Sequence, residues 1–252
     1  MIRLRRRVRG FTIVTYNPST PCRFLGSTDI TANWIDNNRI VFVRTDARQP
    51  VVMMKQLSGR GEERVLARRA RFPQTTADGR RIVFNIQAED HDRAPWQIAW
   101  IDLAEPAIVH RLGGAHIGAR FPSVSPDGAL VTYVSGEVGR DEIFLTRLPS
   151  GEAKYQVSTE GGGWKHMSAR GDAVLYRAPD GAFMSVPVTA TGADLRIGQP
   201  QKLFDWGGSW SPYYTVDADG RRGIAAMPVD RTTHVLSLSV VQNWQLQFRE
   251  TR

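Results

Sequence analysis

Short apolar runs alternate with polar turn segments along this chain, and the combined pattern recurs five times. In the clearest copies, 72–79 and 121–128, a Phe-Pro pair is followed five residues after the proline by Asp-Gly. Weaker copies are anchored at Asp36, Arg170 and Asp219, so that successive anchors lie 42 to 49 residues apart. Repeats of this length in β-rich sequence are typical of β-propeller blades. Each Asp-Gly pair is interpreted as a two-residue hairpin turn.

Each copy predicts four strands. The second strand begins four residues past the anchor, and in four copies it closes on an aromatic residue: Phe42, Phe84, Tyr133 and Tyr176. Because both faces of a blade are covered, we expect these four side chains to be buried between blades. Third strands are predicted at 51–54, 96–100, 141–145 and 182–186, and fourth strands at 64–66, 107–110, 155–157 and 201–204.

The two ends of the chain bear on the number of blades. Residues 11–16 and 22–26 read as a third and a fourth strand with no first or second strand before them, and 234–241 reads as a third strand. An open sheet edge is an aggregation hazard, so a propeller closes on itself. The prediction is an all-β propeller of four-stranded blades, with six blades of which the first is incomplete. Residues 11–252 form this domain, and 1–10 form a basic disordered tail.

Composition fits a globular protein. Hydrophobic residues make up 41% of the chain, which suffices for a packed core, and the longest apolar stretch, 234–241, is too short to cross a bilayer as a helix. No signal peptide is recognisable at the N-terminus. These features predict a cytoplasmic protein as the sequence stands, and a periplasmic one if it is part of a longer anchored protein. The lone Cys22 excludes an intrachain disulfide and a cysteine-based zinc site.

Positive charge is concentrated at the N-terminus. The net charge is +8, and five arginines lie within the first ten residues, without an acid among them. Nucleic-acid binding through this tail is therefore one alternative function, although the remainder of the chain is only mildly basic.

The stretch 121–188 carries specific similarity to a known family. It contains Ser-Pro-Asp-Gly at 125–128, Gly-Gly-Gly-Trp at 161–164 and Pro-Asp-Gly at 179–181, and 240–244 reads Val-Val-Gln-Asn-Trp. In these motifs the chain resembles the TolB-like propellers attached to bacterial serine/threonine kinases and winged-helix regulators, over about residues 30–245. It departs from the family pattern at 37–38 and 170–171, where Asn-Asn and Arg-Gly replace Asp-Gly. The resemblance implies an interaction or sensing module in bacterial signalling or the envelope.

No motif in the chain predicts catalysis, a cofactor or a metal. The segment 207–211 lacks the last glycine of a nucleophile elbow. The acidic and histidine-containing segment 89–93 is interpreted as a solvated loop rather than a cation site.

The candidate binding site lies at one rim of the central channel. Arg71 and Arg120 each stand seven residues before an anchor, where an innermost strand starts, and Trp164 and His166 lie on another innermost strand. Equivalent positions of a propeller converge around its axis, so these four residues would surround an anionic ligand or a peptide. In the alternative, the arginines form salt bridges between neighbouring blades and His166 is structural.

The function predicted from the sequence is a non-enzymatic, monomeric propeller that binds a protein or peptide, or a small anionic ligand. An accessory propeller of a peptidase or other hydrolase acting in trans is the first alternative. Nucleic-acid binding is the second.

Overall fold

The computed structural model describes residues 29–46, 49–57, 62–87, 94–113, 118–192, 194–205, 214–216, 222–228 and 236–242. These residues form twenty strands and no helix, arranged as five antiparallel sheets. The all-β fold class predicted from the repeat is confirmed. Since the described part of the chain holds no helix, it offers none long and apolar enough to cross a membrane.

The sheets follow one another along the chain, one per repeat. Sheet 1 comprises β1 (Asp29–Trp34), β2 (Arg39–Asp46), β3 (Gln49–Gln56) and β4 (Glu63–Arg68). Sheet 2 comprises β5 (Ala70–Thr75), β6 (Arg81–Ile86), β7 (Gln97–Asp102) and β8 (His110–Arg111). Sheet 3 comprises β9 (Arg120–Val124), β10 (Leu130–Ser135), β11 (Glu142–Arg147) and β12 (Tyr155–Gln156). Sheet 4 comprises β13 (Gly163–Met167), β14 (Ala173–Arg177), β15 (Ala182–Thr191), β16 (Asp194–Ile197) and β17 (Gln201–Asp205). Sheet 5 comprises β18 (Tyr214–Val216), β19 (Arg222–Pro228) and β20 (Leu236–Gln242).

Successive sheets pack face to face, with an apolar layer between each pair from sheet 1 to sheet 4. On β6, Phe84 lies in the layer shared with sheet 1, whereas its neighbour Val83 lies in the layer shared with sheet 3. This alternation buries both faces of the strand, as side chains on successive residues point to opposite sides. The predicted burial of the four aromatic residues is confirmed: Phe42, Phe84, Tyr133 and Tyr176 are all buried.

Hairpins at the repeat anchors are longer than expected. In sheet 3 the amide of Ser125 donates to the carbonyl of Leu130 at 2.9 Å, which leaves four residues in the loop rather than two. Asp127 accepts hydrogen bonds from the Ser125 hydroxyl at 2.5 Å and the Ala129 amide at 3.0 Å, and only Gly128 takes a positive φ, 71°. The two-residue interpretation of the Asp-Gly turn was therefore wrong. The aspartate side chain accepts hydrogen bonds from other residues of the hairpin, and the glycine adopts the left-handed conformation that the loop requires.

The Arg-Gly copy reaches the same turn by a different side chain. Gly171 has a φ of 75°, and the hydroxyl of Ser168 bonds to the carboxylate of Asp172 at 2.7 Å. Asp172 lies four residues after its serine, whereas Asp127 lies two residues after Ser125, yet both carboxylates bond to the serine hydroxyl. The departure from Asp-Gly at 170–171 thus leaves the hairpin intact.

Predicted strand positions agree with the structure apart from two details. The fourth strands of sheets 2 and 3 are only two residues long, and the first of them starts at His110 rather than at 107. In sheet 4, β15 runs on to Thr191 and forms a hairpin with β16 that the sequence did not predict. The tail 1–10, the predicted strands at 11–16 and 22–26, and the fifth anchor at Asp219 lie outside the described residues, so six blades and the domain boundaries stay predictions.

Candidate binding site on the first strands

The first strands of sheets 1 to 4 run side by side. Contacts join β1 to β5, β5 to β9, and β9 to β13, as expected for the innermost strands of propeller blades. Each of the four has a shift of register against its second strand at the corresponding place. An irregularity of this kind is a β-bulge, which bends the strand and redirects a side chain.

At each bulge one residue adopts a left-handed backbone conformation. The four residues are Thr31, Phe72, Phe121 and Trp164, with φ between 48° and 55°. None is glycine, although this conformation costs other L-residues roughly 1–2 kcal/mol. The fold therefore holds three aromatic residues in strained positions that glycine or asparagine would fill more easily.

The three aromatic side chains contact one another across the sheets. The ring centroids of Phe72 and Phe121 lie 4.7 Å apart in an edge-to-face arrangement, and those of Phe121 and Trp164 lie 6.4 Å apart with an angle of 29° between the rings. Phe121 is 40% exposed and Trp164 is 39% exposed, whereas Phe72 is half-buried. We refer to Phe72, Phe121 and Trp164 as the aromatic ladder. It joins three successive first strands into one apolar surface that solvent reaches.

Buried polar groups hold the central residue of the ladder from both neighbouring sheets. The amide of Phe121 donates to the Asn85 side-chain oxygen at 2.8 Å, and the Asn85 side-chain nitrogen donates to the carbonyl of Ala119 at 2.8 Å. From the other side, the ammonium of Lys165 donates to the Phe121 carbonyl. Asn85 and Lys165 are both buried, so the bulge at Phe121 is fixed by two polar side chains that are shielded from solvent.

Lys165 is a buried amine. Only 4% of it is exposed, and its described hydrogen bond goes to a neutral carbonyl. Burial lowers the pKa of Lys165 to about 7. His166 follows Lys165 on β13 and is exposed on one side. Partial loss of hydration, and then the charge of Lys165, lowers the pKa of His166 below its ordinary value. His166 is therefore neutral at pH 7.

The two predicted arginines precede the ladder residues. Arg71 is exposed, and its guanidinium lies 5.5 Å from the centre of the Trp96 ring, a cation–π distance. Arg120 forms a salt bridge with Asp141, which stands directly before β11 of the same sheet. The alternative of salt bridges between neighbouring blades therefore does not describe the Arg120–Asp141 pair.

The structure places all four predicted residues on three successive first strands. Arg71 and Arg120 stand immediately before ladder residues, Trp164 is itself a ladder residue, and His166 follows two positions later. Phe72 and Phe121 were missed as site residues, although the repeated triplets Arg-Phe-Pro at 71–73 and 120–122 signalled their equivalence. Asn85 and Lys165 were missed as well, and their burial has no signal in the sequence.

Two segments considered for chemistry, 89–93 and 207–211, fall outside the described residues. Within the part of the chain that the structure describes, no group of three or more His, Cys, Asp or Glu side chains is placed to hold a metal ion.

Comparison with solved structures identifies the fold. TolB from Acinetobacter baumannii aligns with a TM-score of 0.61 at 18% identity, covering 87% of this chain and 53% of that one. A putative TolB from Agrobacterium tumefaciens aligns at 0.53 and 19% identity, covering 75% of this chain and 70% of that one. The β-propeller domain of the Trilobed protease from Pyrococcus furiosus aligns at 0.50 and 16% identity, covering 81% and 65%.

This chain thus spans about half the length of the Acinetobacter TolB chain. No protein-family model matches the chain, and no curated protein matches its sequence. The repeated four-stranded sheets, the contacts between their first strands and these structural similarities together establish that the chain has a TolB-like β-propeller fold.

Proposed function

We propose that this propeller is a non-enzymatic interaction module that binds a protein or peptide at its first strands, through the aromatic ladder. The observation that carries the proposal is the ladder itself: three aromatic residues, held at left-handed bulges, form a continuous and partly exposed surface. Aromatic and arginine side chains are the usual anchors of protein interfaces. Arg71 and Arg120 stand directly beside the ladder.

The backbone strain argues for a role beyond packing. A bulge that served only to bend the strand would be more stable with glycine at the left-handed position. Strained residues persist where the surroundings hold them, and they cluster at functional sites. At Phe121 the surroundings are the buried side chains of Asn85 and Lys165. This support keeps the ring in place before any partner arrives, which lowers the entropy lost on binding.

Selection from a peptide library displayed on phage tests the proposal. Peptides enriched on the unaltered protein should be retained at least about fivefold less by Phe121→Ala and Trp164→Ala, since truncating an anchor costs more than about 1 kcal/mol. Trp34→Ala is the matched control, because Trp34 is 52% exposed on the first strand of sheet 1 and lies outside the ladder. Peptides held equally well by all three variants would show that the ladder is not the binding surface.

The arginines are tested separately, by replacing Arg71 and Arg120 together with alanine. Weaker peptide binding with unchanged stability is expected if the guanidiniums contact the partner. If instead binding persists and stability falls, the arginines are structural.

A second candidate function is that of an accessory propeller for a peptidase that acts in trans. The fold similarity to the propeller domain of the Trilobed protease favours it. In that case the chain should co-purify with a peptidase and change its turnover of long peptides more than that of short ones. The chain alone should hydrolyse neither peptides nor esters, and activity that disappears on mutating one of its side chains would refute the non-enzymatic assignment.

A further inference from the structure

The strands that carry the aromatic ladder contain basic residues and no acidic ones. The three strands β5, β9 and β13 hold Arg71, Arg120 and Lys165, and none of them contains an aspartate or a glutamate. Asp141 neutralises only Arg120. Lys165 is buried against the Phe121 carbonyl, so the cations that solvent reaches along the ladder are Arg71 beside Phe72 and Arg120 beside Phe121, and Asp141 pairs with Arg120.

Resting on the proposed function, we infer that the site selects an acidic peptide segment in extended conformation. Its apolar side chains cover the aromatic ladder, and its carboxylates lie towards the exposed Arg71, at the Phe72 end of the ladder. Charge complementarity of this kind governs the choice of partner more than the total affinity.

The length of the ladder favours a segment over a single residue. Its ring centroids are separated by 4.7 and 6.4 Å, whereas an extended chain advances about 3.3 Å per residue. Several consecutive residues are needed to cover the three rings. The exposed Arg71 beside the Phe72 ring then favours an acidic group next to the apolar centre of the segment.

The ring arrangement disfavours a single-stranded nucleic acid, the other anionic polymer that aromatic residues bind. Bases stack on open ring faces. In the ladder the Phe72 and Phe121 rings meet edge to face at 62°, so these two rings pack against each other instead of presenting parallel platforms. A surface of this form accepts aliphatic, proline or aromatic side chains from several directions.

Affinity selection with defined peptide mixtures tests the inference. Three mixtures share a randomised centre of three apolar residues and differ only in their flanks, which are Glu-Glu, Gln-Gln or Lys-Lys on both sides. Each is incubated with immobilised protein at about 0.1 M salt, and retained peptides are quantified by mass spectrometry. The acidic mixture should be retained at least about tenfold more than the basic one, and more than the neutral one, with a preference that weakens as salt rises.

Charge-reversal variants locate the preference. Arg71→Glu should remove most of the preference for acidic flanks, whereas Arg64→Glu, on the exposed outer strand β4, makes the same change in net charge and should leave it intact. Equal retention of all three mixtures, with loss in Phe121→Ala, would overturn the acidic class while leaving the ladder as the binding surface. Retention that ignores Phe121→Ala would overturn the proposed function itself. The present inference would be overturned if the protein retained none of the three mixtures, or if it retained oligothymidylate and none of the peptides.

Discussion

Replacing Lys165 with methionine should change how the stability of the protein depends on pH. The Lys165 ammonium is 4% exposed, and its described hydrogen bond is made to the Phe121 carbonyl. Burial lowers its pKa to about 7 in the folded protein. In the unfolded chain the same amine keeps a pKa near its ordinary value of 10.5. Methionine is of similar length and cannot be protonated.

The sign of the effect follows from proton binding. Between about pH 7 and pH 10.5 the unfolded chain binds a proton at Lys165 that the folded protein has released. Stability rises with pH wherever the unfolded state binds more protons, so this group makes the protein more stable as the pH increases. From pH 7 to pH 9 its contribution to the free energy of unfolding improves by about 2 kcal/mol. The Lys165→Met variant lacks this gain.

Urea unfolding at pH 7, 8 and 9 measures the effect. The variant also leaves the Phe121 carbonyl without its donor, an offset that does not change with pH, so the informative quantity is the change in the stability difference between the two proteins. Lys154→Met, which removes a more exposed ammonium paired with Glu137, controls for the loss of one positive charge. If the unaltered protein and Lys165→Met gain stability in parallel from pH 7 to pH 9, Lys165 is not a buried, weakly paired amine.

Three further predictions concern the core, a turn and the ladder. Phe84→Ala should cost about 3–5 kcal/mol in chemical unfolding, because the ring is fully buried between sheets 1 and 2, and a loss below about 1 kcal/mol would contradict that packing. Gly79→Ala should lower the free energy of unfolding by at least about 1 kcal/mol more than Gly139→Ala. Both glycines have a positive φ, but a Cβ at Gly79 would lie 2.9 Å from the Ile35 carbonyl oxygen, whereas a Cβ at Gly139 would meet nothing within 4 Å. Equal losses of stability in the two variants would mean that Gly79 and the Ile35 carbonyl lie farther apart than the structure places them. Phe121→Gly should be more stable than Phe121→Ala by about 1 kcal/mol, since its φ of 55° suits glycine, and the reverse order would show that the bulge is not left-handed in solution.

The sequence predicted the fold because a propeller repeats its signals. Each repeat places an aromatic residue at a fixed distance beyond the anchor, and both faces of the strand are apolar, so the burial of Phe84 and Tyr133 followed from the register alone. The hairpin formed by β15 and β16 was missed because its residues, 182–197, merely continue a strand and turn back without a repeat elsewhere in the chain.

The candidate site was predicted in position but not in chemistry. Arg71 and Arg120 were singled out for their equivalence around the channel, and the residues after them, Phe72 and Phe121, form most of the apolar surface. Whether a side chain points into the channel depends on the bulge, and a left-handed φ at phenylalanine contradicts local preference, so propensity cannot reveal it. The burial of Asn85 and Lys165 is likewise a product of the neighbouring sheets.

Fluorine NMR of protein labelled with 5-fluorotryptophan tests most directly whether the aromatic ladder is the binding surface. The chain has seven tryptophans, and the resonance of Trp164 can be assigned from its absence in Trp164→Phe. On titration with the peptide most enriched by the unaltered protein, the account predicts that the Trp164 resonance shifts in proportion to the bound fraction. The resonance of Trp34, an exposed tryptophan outside the ladder, should stay in place. Saturable binding that leaves Trp164 unmoved and shifts Trp34 would contradict it.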